Sequence, residues 1–171
     1  MPRELRTGRL VLRAWQLSDS VAVRRLWGER DPRSLRVIDS DGHPSVAEMR
    51  DRIAAQLAEA ERTGLRLLAI ERRSAPGFIG YCGLTAGAAT VAEPEIVFEL
   101  FRSVHGHGYA TEAARVVVAA GRQTGRARLW ATVRAWNTAS LNVLAKLDFH
   151  DSGERTEDPV RCDSVWMTRL L

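Results

Sequence analysis

The sequence predicts a mixed α/β fold: one domain over residues 1–171, with a twisted, mostly antiparallel sheet of six to seven strands flanked by about four helices. Three observations carry this. Some runs alternate apolar and polar residues with a period of two, and others repeat at helical spacing. The strand-like runs first meander and then alternate with helices, a pattern that builds mixed sheets. Only residues 93–134 leave room for a helical crossover between parallel strands.

The elements follow in order. RLVLRAW (9–15) alternates Leu10, Leu12 and Ala14 against Arg9, Val11 and Arg13, a strand. Ser18 and Asp19 offer N-caps to a helix beginning VAVRRLWGER. Two prolines and a glycine make Asp31–Pro44 a loop, and Ser45 or a neighbour caps a helix in which Met49, Ile53, Leu57 and Ala60 align before Gly64 ends it. LRLLAIERR (65–73) and FIGYCGLTA (78–86) form a hairpin, and EPEIVFELF (93–101) is a third strand of this group. A helix then runs to about Thr124, ARLWATVRA (127–135) is a strand, TASLNVLAKLDF opens with a short helix, and the tail folds back around Asp158 and Pro159.

The chain holds 45% hydrophobic and 27% charged residues, the balance of a soluble globular domain, and its net charge of +4 comes almost wholly from arginine, with Lys146 the sole lysine. No basic run with interleaved aromatics points to nucleic acid. MPRELRTGRL has no apolar signal-type core, and no run approaches the roughly 20 apolar residues of a membrane span. Cys82 and Cys162 are too few and too distant for a metal site, so the expectation is a cytoplasmic protein with two reduced thiols and no metal. Nothing in the sequence decides between a monomer and a homodimer.

VHGHGYATEAA (104–114) is the most informative stretch. Gly106 and Gly108 stand between a strand and a helix, where unpaired N–H groups and the helix dipole favour an anion and the missing Cβ atoms allow close approach. His105-Gly106-His107-Gly108-Tyr109-Ala110 therefore reads as a cradle for phosphate, most naturally a pyrophosphate, at the carboxyl end of a strand, where open α/β sheets bind ligands. It fits neither the dinucleotide fingerprint, which needs a third glycine, nor a P-loop, which needs Gly-Lys-Ser or Gly-Lys-Thr. About 30 residues on, Asn137 leaves a strand with Ser140 three positions later, which by itself is ordinary helix capping.

Together the two segments resemble the GNAT superfamily of acetyl-CoA-dependent N-acetyltransferases, and within it the branch that acetylates ribosomal-protein N-termini and assorted small amines. That family's loop is Arg or Gln, two residues, Gly, one residue, Gly or Ala. It is matched by residues 105–110, with Thr111-Glu112-Ala113 continuing the branch's usual wording. Its later motif, Asn-x-x-Ser-x-x-Val-Leu-x-Lys-Leu-Gly-Phe, is matched at Asn137, Ser140, Val143, Leu144, Lys146, Leu147 and Phe149. The resemblance implies acetyl-CoA as cosubstrate, held by His105 to Thr111, by backbone groups of Leu100 and Phe101, and by Asn137 and Ser140. The implied acceptor is a primary amine on a peptide N-terminus or a small molecule. Three departures stand out: His105 replaces Arg or Gln, Asp148 replaces glycine, and Leu144 occupies the place of the tyrosine that protonates the leaving thiolate.

Along EPEIVFELF, Ile96, Phe98 and Leu100 share one face while Glu95, Val97, Glu99 and Phe101 share the other. Carboxylates on such a face must be paired or used. Glu95 and Glu99 would stand about 13 Å apart at about 3.3 Å per residue. Resemblance to histone-type relatives assigns the general base to Glu95, with Glu99 as the second candidate. The five tryptophans read mainly as packing, with Trp27, in the first-helix region that walls the acceptor pocket in this family, expected to touch substrate. The alternative to an enzyme is a catalytically silent acyl-CoA-binding or regulatory module, which Leu144 favours and the Glu95 and Glu99 face opposes.

Overall fold

The computed structural model describes residues 1–31, 33, 44–160 and 162–171. Its strands are β1 (Glu4–Arg6), β2 (Leu10–Ala14), β3 (Leu67–Arg72), β4 (Ala75–Thr85), β5 (Glu95–Leu100), β6 (Arg128–Arg134), β7 (His150–Thr156) and β8 (Ser164–Leu170). Four helices, α1 (Ser20–Gly28), α2 (Val46–Thr63), α3 (Tyr109–Gln123) and α4 (Thr138–Ala145), complete the fold. The sheet order is β1-β2-β3-β4-β5-β6-β8-β7, and every neighbouring pair is antiparallel except β5–β6.

The expected class holds, with one strand more than foreseen. The extra strand is β1, three residues without an apolar run, held in place by pairing with β2 rather than by burial. Ser45 caps α2 as expected: its side chain accepts from the Glu48 N–H while Glu48 reaches back, and Met49, Ile53 and Ala60 turn inward. Asp19 behaves otherwise. It is buried and held by both Nη atoms of Arg13 at 2.8 Å, so it fastens β2 to the turn before α1 instead of capping the helix. Asp148 adopts φ +58, the left-handed conformation that favours glycine. The Asp31–Pro44 loop lies, apart from Asp31, Arg33 and Pro44, outside the described residues.

Two features of the sheet position everything that follows. First, its parity separates two environments. Leu84 packs toward Gly121 of α3, whereas Tyr81, of opposite parity in β4, faces α1 and α2. Second, β5 and β6 pair only at Glu95 and Trp130, where the Trp130 N–H also donates to the Pro94 carbonyl at 2.9 Å. Beyond that point the parallel strands part, leaving a fork that opens toward the N-terminus of α3.

Candidate active site

A cavity of about 640 Å³ fills the fork. Its walls include consecutive residues 95–100 of β5, so it runs along the edge of the strand that β6 leaves open. One rim is the glycine loop. Gly106 and Gly108 adopt φ +78 and +77, which a residue with a Cβ reaches only under strain. The chain thereby turns so that six consecutive N–H groups, Gly106 to Thr111, are left without a hydrogen-bond partner among the described residues, and the first intrahelical bond is Glu112 N–H to the Gly108 carbonyl. No side chain caps α3. A row of free donors at the positive end of a 15-residue helix is what an anion with several oxygens requires.

The loop is fastened at three places. The His105 Nε2–H donates to the Leu100 carbonyl at 3.0 Å, tying the loop to the end of β5, and the His107 Nδ1–H donates to the His105 carbonyl at 2.8 Å. The His107 ring stacks on Tyr109, over which Arg9 also lies. Arg9 further bonds the His107 carbonyl at 3.0 Å and Glu112 at 2.7 Å, while Thr7 donates to Glu112 at 2.5 Å. Burial alone would raise the Glu112 pKa, but the bonds from Thr7 and Arg9 outweigh it and hold this carboxyl below its ordinary value. The histidines are thus fasteners, and no cluster of metal-ligating side chains occurs among the described residues.

Across the fork, Asn137 caps α4: its Oδ1 accepts from the Ser140 N–H at 3.1 Å, and its amide nitrogen has no hydrogen-bond partner among the described residues. Leu144 is fully buried behind it. Leu100 and Phe101 differ in what they present. The Phe101 N–H donates to Ile79 and its carbonyl accepts from Val104, so its backbone is engaged outside the fork. Alternation along β5 then turns the N–H groups of Phe98 and Leu100 away from β4 and toward the strand that has departed. Phe98 was not singled out in the sequence, because a strand's hydrogen-bond parity is invisible until its partner is known.

The two glutamates occupy unlike places. Glu95 sits at the closed end of the fork, 7% exposed, with Oε1 accepting from the Ala88 N–H at 2.6 Å and Oε2 carrying no hydrogen bond among the described residues. Its carboxylate fills the space a Cβ on Gly87 would need, so the Gly87 turn is shaped around it. Glu99, at the open end, is saturated. Arg30 donates from Nε at 2.7 Å and from Nη2 at 2.5 Å, and the Tyr81 hydroxyl donates at 2.6 Å. Burial pushes the Tyr81 hydroxyl pKa up, and the Glu99 charge beside it pushes further. Trp27 does not line the large cavity. It lines a smaller one of about 220 Å³ between α1, α2 and Tyr81, and its ring lies 3.6 Å beneath the Arg30 guanidinium. Arg9, Arg30 and Tyr81 escaped the sequence reading because their partners lie 103, 69 and 18 residues away.

Comparison with known proteins agrees with this geometry. A model of the family described as acetyltransferase (GNAT) domain matches residues 9–150. The chain is similar to the uncharacterized N-acetyltransferase p20 of Bacillus licheniformis, 27% identical over 150 residues that cover 87% of this chain and 83% of that protein. Among solved structures it resembles Mycobacterium smegmatis RimJ in complex with CoA-disulfide, with a TM-score of 0.76, 22% identity and coverage of 94% and 81%. It also resembles the ribosomal-protein-S5-alanine acetyltransferase of Vibrio fischeri, with a TM-score of 0.78, 15% identity and coverage of 98% and 96%.

Proposed function

This chain belongs to the GNAT acetyltransferase family, and from that premise we propose that it moves the acetyl group of acetyl-CoA to a primary amine by direct attack within a ternary complex. The observation that carries the reading is the row of six free N–H groups at α3, opening onto a cavity whose far end is the Glu95 carboxylate. The donor set fits the cosubstrate: backbone N–H groups from Gly106 to Thr111 would hold the pyrophosphate, the Asn137 amide with Ser140 would meet the pantetheine arm, and the N–H groups of Phe98 and Leu100 would face the thioester oxygen as its charge grows. Phe101 would contribute by packing alone.

An alkylammonium near pKa 10, and a peptide N-terminus near pKa 8, are both mostly protonated at neutral pH and in that form cannot attack. Glu95 would take that proton, through a water, with its unbonded Oε2. What supports Glu95 over Glu99 is the difference in bonding. Protonating Glu99 would break an ion pair and a tyrosine hydrogen bond, whereas Glu95 has an oxygen to spare. As the new C–N bond forms and the C–S bond breaks, the thiolate takes its proton from water or from the former ammonium, since Leu144 has none to give. The acceptor is a peptide N-terminus or a small-molecule amine, and a cytoplasmic location with both thiols reduced belongs to this reading. No helix among the described residues is long and apolar enough to cross a membrane.

Leu144 favours a second reading, an acyl-CoA-binding module without turnover. A thiol-reactive dye separates the two. Incubation with acetyl-CoA and a panel of peptide N-termini, polyamines, aminoglycosides and amino acids is expected to release CoA continuously with at least one acceptor. The exposed Cys162 adds only a fixed blank, since Cys82 is buried. Tight acetyl-CoA binding with no release on any acceptor would select the silent module.

A further inference from the structure

Arg30 carries five N–H donors. Nε–H and one N–H of Nη2 are spent on Glu99, and Nη2 also bonds the Tyr81 hydroxyl oxygen at 3.2 Å. Both N–H groups of Nη1 are left without a partner among the described residues, on a side chain that is only 26% exposed and lines the large cavity. The guanidinium is held in this place, because its Cζ lies 3.6 Å from the centre of the Trp27 ring while Glu99 grips its other edge. Its charge is largely cancelled by Glu99, so what it offers is a directed pair of donors rather than a long-range field.

The anions on the same wall each meet a donor: Glu29 Oε2 accepts from the Arg102 backbone N–H at 2.7 Å, and Asp31 is held by Arg33 at 2.8 Å. Nη1 of Arg30 meets no acceptor among the described residues. From this we propose that the acceptor carries a carboxylate, one oxygen of which is held by Nη1 of Arg30, and that Glu99 and Trp27 are positioning residues that hold the guanidinium for it. The acceptor class is then an anion-bearing amine rather than a polyamine or an aminoglycoside.

The test compares acetylation of matched peptides by the full chain with acetyl-CoA: alanyl-alanine against its amide, and alanyl-glutamate amide against alanyl-glutamine amide. The wild type is expected to favour the acid member of at least one pair by about tenfold or more in kcat/KM, the usual weight of a hydrogen bond to a charged group. In Arg30→Gln that ratio falls to within about threefold, the loss showing in the KM of the acids, and Arg30→Lys recovers part of it because charge returns without the fixed plane. CoA titration and the thermal midpoint of each variant report that it is folded. Equal use of acids and amides by the wild type overturns the carboxylate assignment while leaving acetyl transfer standing. So does a preference that survives in Arg30→Gln, and so does inertness of every peptide in both series. Failure of acetyl-CoA to bind at all would instead overturn the transfer reading on which this one rests.

Discussion

The two rims of the fork are made of different material. The glycine-loop rim is backbone: two glycines in left-handed conformation and a helix end, with side chains pinning the loop. The opposite wall is side chains: an arginine, a glutamate, a tyrosine and a tryptophan from three separate segments, each fixing the next. A group common to every reaction of a family is suited to recognition by backbone, which almost any sequence supplies once its glycines are in place. A group that varies from one acceptor to another calls for side chains, which can change without disturbing the fold.

That contrast can be broken from either rim. The largest effect is expected at the closed end, where Glu95→Gln should lower turnover by about 10²-fold or more at pH 7 with CoA affinity little changed. The deficit should shrink as pH rises toward the amine's own pKa, and a pH–rate profile of both proteins checks it. Near-wild-type turnover at pH 7 would move the base to Glu99. Next, Gly108→Val should weaken CoA binding at least about tenfold, because a β-branched residue held at φ +77 costs about 1–3 kcal/mol and displaces the donors. Calorimetry reads this directly.

A smaller effect is expected from the fastening of the loop. Glu112→Gln removes the charge that binds Arg9 and should weaken CoA binding about threefold. Because bonds from Thr7 and Arg9 depress the Glu112 pKa in the folded protein, its contribution is fully present above the unfolded value near 4.3 and is lost as pH falls through the lower folded value. The wild-type midpoint should therefore drop more steeply than that of Glu112→Gln below about pH 4, as thermal scans at stepped pH would show. The smallest effect is none: with Cys82 buried and Cys162 exposed and unbridged, dithiothreitol should leave the thermal midpoint unchanged, and a fall of several degrees would be the contrary result.

The same contrast explains what could be read from the sequence. Glycine spacing before a helix is a local signal, and the glycine turn before α3, the cap of α2 and the β5–α3–β6 crossover were legible because each depends on residues close in the chain. The faces of β5 were legible too, since alternation assigns Glu95 and Glu99 to one side of a strand whatever it pairs with. What each glutamate meets there was not. The Arg30 and Tyr81 bonds that saturate Glu99, and the Gly87 turn folded around Glu95, come from pairings between distant segments that no local period encodes. Trp27 was expected by region alone to touch substrate; that its ring lies against the Arg30 guanidinium, and lines the smaller cavity beside Tyr81, depends on how the chain packs and has no local signal.

The central claim is that free backbone donors at the start of α3 hold the pyrophosphate of CoA. Calorimetric titration of the wild type and of Gly108→Val with CoA, and of the wild type with pantetheine, which has the arm but no phosphates, tests it most directly. The expected result is saturable binding of CoA by the wild type, with binding of pantetheine and binding of CoA by Gly108→Val each weaker by about tenfold or more. Equal affinity for CoA and pantetheine, or full CoA affinity in Gly108→Val, would contradict it.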